Sequence, residues 1–349
     1  MLTDKSLIEI TASLLEQRHV LVHSRYTNRQ LLMMHDQKLM RGLNELLRRK
    51  VHVTEHRWLD WVLDCSPIPF DSAFEVNPPH ALWLTELKMA LHNMDYAAIA
   101  VSAQKDNAEY ANWLLASYLH IPIPNTDKLL EQHISSAMLW YLASMGCMSE
   151  KAALNSAIRN AEPRLSVEIK LALYMLGDRT DELELLSCAI ENEISHWDYL
   201  FVLICGAPEP LKIRLLNLIC SEANDRSASF KAIGFSGLSK FIPMVLALTK
   251  EQETENVAMD VLYTLVGTVE AEVLLSQLEL IDETSLELVV NKYPPLTKLQ
   301  VIDTTELKTF WQLECQGQRQ AAAYRAKVHF PQTPLARPCR LLGGIWHLQ

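Results

Sequence analysis

The stretch from Lys231 to Leu248 reads KAIGFSGLSKFIPMVLAL and carries two of the chain's 10 glycines. Gly237 separates two apolar runs, as a glycine at a helix end does, because glycine adopts the left-handed backbone conformation without a Cβ clash. Together with Gly234 it also has the G-x-x-G form of nucleic-acid clamps and phosphate loops. Those sites need a preceding strand or basic neighbours, and only Lys231 and Lys240 lie nearby. The stretch therefore predicts two packed helices joined at Gly237.

The same joint recurs along the chain. Glycines stand at intervals of 31, 29, 31 and 30 residues, and an apolar residue precedes each one by four positions. One turn and two amphipathic helices in about 30 residues form the unit of a helical-repeat solenoid, in which stacked helix pairs bury a shared core. The predicted joints are Gly146, Gly177, Gly206, Gly237 and Gly267, preceded by Leu142, Leu173, Val202, Ile233 and Tyr263.

This periodicity predicts an all-α fold, a HEAT-like α-solenoid with a small helical N-terminal head and a basic C-terminal capping segment. The head covers residues 1–66 and includes a long amphipathic helix over Asn28–Lys50. A proline-rich linker covers 67–79, since proline removes a backbone N–H and disfavours helix before it. The repeats cover 80–316, and a basic helix and loop cover 317–349, which we expect to cap the last repeat.

Charge is distributed unevenly along the chain. Residues 1–76 hold ten basic and ten acidic side chains, residues 77–314 hold 17 and 32, and residues 315–349 hold five and none. An acidic body beside a basic tail indicates intramolecular docking or a charged partner. The net charge of −10 disfavours binding to nucleic acid.

The composition narrows the fold classes and the kinds of site that we expect in this chain. Ten glycines in 349 residues are few for a β-sheet or dinucleotide-binding fold. The seven cysteines include no C-x-x-C pair, so we expect reduced thiols, neither disulfides nor zinc, and a cytoplasmic protein. No apolar run reaches the ~18 residues of a membrane span, and we expect no membrane insertion. No cofactor-binding fingerprint stands out.

Three segments together resemble a bacterial family of HEAT-like proteins that is often encoded beside type VI secretion spike and adaptor genes. They are GFSGLSKFIPMVLALTKEQETENVAMDVLYTLVG (234–267), HDQKLMRGLNELL (35–47) and GQRQAAAYRAKVHFPQTPLARPCR (317–340). The head departs from the family pattern, with Lys38 in place of an arginine and Arg41 in place of a histidine. The resemblance implies a protein-interaction role linked to secretion and supplies no catalytic residues.

One motif has the form of a metal site. HVTEH places His52, Glu55 and His56 in the pattern H-x-x-E-H, which on a helix aligns two histidines for zinc beside a glutamate base. A third ligand is also needed, and no downstream acidic motif singles itself out. The alternative is a solvated helix start with two exposed histidines.

Four tryptophans have two possible roles, an aromatic ligand groove or packing between repeats: Trp83, Trp113, Trp140 and Trp197.

We expect a non-enzymatic scaffold or adaptor of type VI secretion that binds a secreted effector or spike component. The alternatives are an immunity protein that neutralises a co-encoded toxin, and a metal-dependent hydrolase that uses the motif at 52–56. The expected partner-binding surface is acidic: Asp178, Asp181, Glu182, Glu184, Glu251, Glu253 and Glu255.

Overall fold

The computed structural model describes residues 3–66, 78–103, 110–179, 181–194, 196–222, 226–278 and 303–348. Within these ranges the chain is all-helical and contains no β-strand. Residues 67–77 of the predicted linker and 279–302 of the predicted repeats lie outside the described residues. Pro78 and Pro79, expected in the linker, instead begin a helix. Proline is tolerated there because the first helical N–H groups have no intrahelical acceptor.

The head consists of three helices. The expected helix over Asn28–Lys50 is present: the Asn28 side chain accepts a hydrogen bond from the Leu31 amide, and Lys50 ends the helix in a left-handed conformation. The apolar stripe of this helix is buried against the first helix. The head helices are α1 (Asp4–His23), α2 (Arg29–Arg49) and α3 (Arg57–Leu63).

The body is a row of helix pairs. Each even-numbered helix from α4 to α16 packs on the next even-numbered one, and odd-numbered helices flank the row. Helices α8, α10, α12 and α16 each contain a run of at least five consecutive buried residues, which suits elements covered on several sides. The row comprises α4 (Pro78–Leu91), α5 (Ala97–Ala103), α6 (Tyr110–Leu119), α7 (Thr126–Gln132), α8 (Ser136–Met145), α9 (Lys151–Ala157), α10 (Pro163–Met175), α11 (Glu182–Glu191), α12 (Asp198–Gly206), α13 (Glu209–Glu222), α14 (Arg226–Ser236), α15 (Ile242–Leu248), α16 (Glu255–Val266) and α17 (Thr268–Leu278).

The five repeating glycines stand at the C-terminal ends of α8, α10, α12, α14 and α16, a line that we call the glycine edge. Gly146, Gly177, Gly237 and Gly267 have φ between +66° and +94°, so they end their helices in a conformation that L-residues with a Cβ adopt poorly. Gly206 differs, because it remains helical. A Cβ there would lie 2.8 Å from a Val328 methyl group, so close packing requires this glycine.

Gly234 belongs to helix α14 and takes no part in a loop. A Cβ on it would meet the Thr264 side chain of α16 at 3.2 Å. The close approach of the neighbouring helix accounts for a glycine that would otherwise weaken α14. The opening G-x-x-G is therefore a packing feature.

Two helices follow in the C-terminal part, α18 (Thr304–Leu313) and α19 (Gln316–His329). From α19 onward the chain runs back along the row. A Cβ on Gly317 would clash with Thr264 of α16, Val328 meets Gly206 at the end of α12, and Pro331 lies against Gly177 at the end of α10. The chain thus crosses the row in the reverse of its sequence order.

The remainder of the tail continues to the head. The Leu335 amide donates to the Ser144 carbonyl of α8 at 2.7 Å, and the Leu342 amide donates to the Asp36 carboxylate of α2 at 2.7 Å. Residues 317–349 were expected to cap the last repeat; the described part of this segment contacts α16 and also extends to helices as far back as α2. The tail has this path because glycines leave room for backbone along the edge.

The head also meets the far end of the row. In the loop between α1 and α2, Arg25 donates to the Asn256 carbonyl at 2.9 Å and pairs with Asp260 at 2.8 Å, both on α16. Tyr26 packs edge-on against Tyr263, with ring centroids 5.3 Å apart. The loop between α1 and α2 is thereby joined to α16.

Candidate functional site

The first predicted acidic group surrounds the start of α11. Asp181 accepts hydrogen bonds from the Leu183 and Glu184 amides and so caps the helix. Asp178 pairs with Lys151. Asp181 and Glu184 are exposed, while Glu182 is half-buried. Asp178 and Asp181 therefore already have partners within the chain, which leaves their carboxylates less available to another protein.

The second predicted acidic group lies in the turn between α15 and α16. Glu251, Glu253 and Glu255 are all exposed. This turn is at the start of α16, whereas Asp178 follows the end of α10. Because α10 and α16 belong to one row of helices that all end at the glycine edge, the two acidic groups lie at opposite edges of the row. The structure does not combine them into one surface.

The H-x-x-E-H motif lies in the head but has no helical geometry. Residues 51–56 form an irregular segment, and α3 begins only at Arg57. His52 and Glu55 are exposed, and His56 is half-buried. The two histidines therefore do not share a helix face, which is the arrangement that the motif needs. Across the described ranges, no three His, Cys, Asp or Glu side chains are grouped as metal ligands would be.

A groove of about 580 Å³ opens beside this segment, between α1, α3 and α4. Its α1 wall carries Leu15, Glu16 and His19, which share one face of the helix. We call it the head groove. Its other walls are largely aromatic, formed by Trp58 and Trp61 of α3 and Trp83 of α4.

The polar side chains that line the head groove include two glutamates beside His19, His56, Arg57 and Thr85. Glu16 and Glu55 are exposed at its rim, and Arg57 stacks on Trp58 at 5.2 Å. Trp83 is 4% exposed, and its indole N–H has no hydrogen-bond partner. The head groove thus presents aromatic surface, the carboxylates of Glu16 and Glu55, and the indole N–H of Trp83 in its wall.

The four tryptophans singled out from the sequence do not form one groove. Trp83 lines the head groove, whereas Trp113 packs on Tyr141 in the core. Trp140 is covered by Arg337 of the tail, and Trp197 lines a separate cavity of about 450 Å³. Sequence reasoning missed Trp58 and Trp61. Their three-residue spacing in RWLDWVL was the available signal, because it places both rings on one helix face.

The tail is held against α2 and α4 by buried charges that sequence reasoning also missed. The Arg18 guanidinium pairs with Asp36 at 2.5 Å, with both side chains fully buried. Arg340 donates to Glu86 from Nε and Nη2 at 2.9 Å, and the Leu341 amide donates to the same carboxylate. Burial raises the pKa of Glu86, while Arg340 acts in the opposite direction. We call Asp36, Glu86 and their partners the tail clasp.

None of the described helices combines the length and apolar character needed to cross a bilayer. The chain matches no known protein-family model, no curated protein and no solved structure.

Proposed function

We propose that this protein is a non-enzymatic scaffold, a HEAT-like solenoid whose head groove holds a helical segment of a protein partner. The observation that carries the proposal is the head groove itself, an open concavity with three tryptophans in its walls. Tryptophan and arginine are enriched among residues that contribute most to protein–protein binding. The glycine edge, by contrast, is occupied by the chain's own tail.

The shape of the groove favours a helix as the occupant. The α1 wall extends from Ala12 to Val20, about 12 Å at 1.5 Å per residue. That length accommodates about two helical turns, enough for apolar anchors at positions i, i+4 and i+7. The exposed carboxylates of Glu16 and Glu55 favour basic residues beside those anchors. The proposed partner segment is therefore an amphipathic helix with basic flanks.

The resemblance to HEAT-like proteins encoded near type VI secretion genes supports a partner from that machinery, either a secreted effector or a spike component. The exposed acidic turn at Glu251–Glu255 supports a second, weaker contact with a basic surface. Both assignments are parts of the same proposal.

A charge reversal tests the groove without disturbing the core. We expect Glu16→Lys combined with Glu55→Lys to weaken the complex with a co-purified partner, because both carboxylates lie at the rim. Trp58→Ala should weaken it by about 30-fold, as for a hot-spot residue. Glu131→Lys on α7 is the matched control, since Glu131 is exposed and far along the chain from the groove. Binding would be measured by calorimetry after size-exclusion chromatography.

The outcome separates the alternative functions. If the complex forms equally well with the groove variants and the control, the groove is not the docking site. An immunity protein predicts that deleting this gene alone is toxic while the neighbouring gene is intact, whereas loss of an adaptor should only abolish delivery. A hydrolase at His52, Glu55 and His56 predicts close to one equivalent of zinc in the purified protein.

A further inference from the structure

Two histidines meet where the end of the tail contacts α6. His120 follows the last residue of α6 and has a left-handed backbone with φ of +58°. Its Nε2 lies 2.9 Å from the Leu335 carbonyl oxygen, and its Nδ1 lies 2.9 Å from Nε2 of His347. Nη1 of Arg340 is 3.3 Å from the same Nδ1. His120 therefore contacts three residues of the tail.

These contacts fix the protonation of His120. A carbonyl oxygen only accepts, so Nε2 of His120 must carry the proton and donate to Leu335. Arginine only donates, so Nδ1 must present its lone pair to Arg340 and His347. His120 is therefore neutral whenever the tail is in place. A proton on Nδ1 would remove both acceptor contacts at once.

The charged neighbours of His120 oppose its protonation. Arg340, Arg337 and His347 approach from the tail, and all three disfavour a positive imidazole. From α4, Glu86 is already engaged by Arg340. Tyr118 of α6 and Tyr96 after α4 lie in the same region, and burial raises the pKa of each phenol. No described carboxylate near His120 is left to neutralise an imidazolium.

Glu86 holds the same part of the tail through its carboxylate, which accepts from Arg340 and from the Leu341 amide while 5% of the residue is exposed. Burial raises the pKa of Glu86, and the Arg340 guanidinium reduces that rise. A raised pKa means that proton uptake by Glu86 favours the docked tail, so its own titration works against the effect of His120. The acid response of the tail therefore depends on His120.

We propose that the end of the tail, residues 335–348, is an acid-sensitive latch that leaves α2, α4 and α6 below neutral pH while α19 stays on the glycine edge. The apolar packing of α19, with Val328 at Gly206 and Gly317 at Thr264, does not titrate. Burial lowers the pKa of Lys327 and of His329 in α19, so this apolar packing is what we expect to keep the helix in place while acid releases the distal part of the C-terminal segment. The released latch would uncover the carboxylates of Asp36 and Glu86 and the Trp346 side chain.

The size of the effect follows from linkage. Burial, with smaller contributions from His347 and Arg340, lowers the pKa of His120 from 6.5 to about 3. The docked state therefore binds fewer protons than the released state between these values, so docking is favoured above pH 6.5 and lost progressively as pH falls. At pH 5 His120 alone shifts the equilibrium toward release by about 30-fold relative to pH 7.5.

Hydrogen exchange on the full-length protein tests the latch. We expect the protection factors of amides 335–348 to fall by about 30-fold between pH 7.5 and pH 5.0, after correction for intrinsic exchange, while amides of α19 keep theirs. His120→Gln can still donate to Leu335 and does not titrate, so its tail protection should change much less with pH. His133→Gln, at an exposed histidine after α7, should behave as the parent protein.

Three results would overturn the latch. One is unchanged tail protection at pH 5.0, and another is an equal loss of protection in His120→Gln. A third is exchange that rises in α19 together with the tail, which indicates global unfolding. Should His120→Gln fail to fold, His347→Gln tests the same hydrogen bond from the tail side, with reduced pH dependence expected.

Discussion

The C-terminal segment is held in two different ways along its length. Its helix, α19, lies on the glycine edge, where small residues let backbones approach and where alanines pack beside buried polar and charged side chains. Its distal part is held against α2, α4 and α6 by buried ion pairs and histidines. Packing contacts respond to side-chain volume, whereas the tail clasp responds to charge. The two parts of this segment should therefore respond to different substitutions.

The largest effect is expected from breaking the tail clasp. Asp36→Ala leaves the buried Arg18 guanidinium without its carboxylate and removes the acceptor of the Leu342 amide. We expect the free energy of unfolding to fall by about 3–5 kcal/mol, measured by urea denaturation. Glu45→Ala is the control, since Glu45 pairs with Arg48 and Arg49 at the surface. It should cost far less, because solvent screens this pair. Equal losses would show that burial of the clasp does not matter.

The glycine edge should respond to added volume. Gly146→Ala places a Cβ 2.5 Å from the Gln332 carbonyl oxygen and strains a left-handed backbone, whereas at Gly177 the nearest atom is a Pro331 ring carbon at 3.2 Å. Strain alone costs about 1–2 kcal/mol at either site. The backbone clash should add about 1–3 kcal/mol at Gly146 only. Thermal unfolding of both variants measures the difference, and equal losses would indicate that the tail does not press on this edge.

A lysine inside the C-terminal segment gives a prediction at alkaline pH. Lys327 is buried and donates to the Pro331 and Thr333 carbonyls, and burial lowers its pKa from 10.5 to about 7. The unfolded chain binds more protons between these values, so unfolding free energy should rise with pH. From pH 7 to pH 9 the rise is about 2 kcal/mol from this group.

Lys327→Met removes the titrating group, so the difference in unfolding free energy between the parent and Lys327→Met should change with pH by this amount. A constant difference across the range would mean that Lys327 remains charged in the folded protein.

The smallest effect on stability is expected where the loop between α1 and α2 contacts α16. Arg25 is 18% exposed and its partner Asp260 is 56% exposed, so solvent screens the pair. We expect Arg25→Ala to cost at most about 1 kcal/mol. Stability would be measured by calorimetric melting. A larger loss of unfolding free energy would show that the contact between the head loop and α16 contributes more to stability than an exposed ion pair does.

Much of the secondary structure followed from sequence. The long helix of the head, the glycines that end the even-numbered helices and the all-helical class came from local pattern, because periodicity and capping act over a few residues. Gly206 is the instructive exception. Its spacing matched the other joints, yet its cause is contact with Val328, a residue 122 positions further along the chain.

The candidate site was less predictable. The motif at His52–His56 matched a sequence pattern but adopts no helix, because tertiary contacts set its backbone. Trp58 and Trp61 had only their spacing as a signal. The sequence showed that acidic residues are concentrated in the body. Which of them lie near one another depends on how the helices stack.

By itself the sequence determined that the chain is helical, that its joints recur about every 30 residues, and that a basic tail follows an acidic body. Only the tertiary structure decided where that tail lies. Local propensity carries no information about which distant carboxylate receives Arg340, or which glycine faces Val328. Those pairings are set by the requirement that buried charges be neutralised and buried space be filled, which is met only when the whole row of helices is assembled.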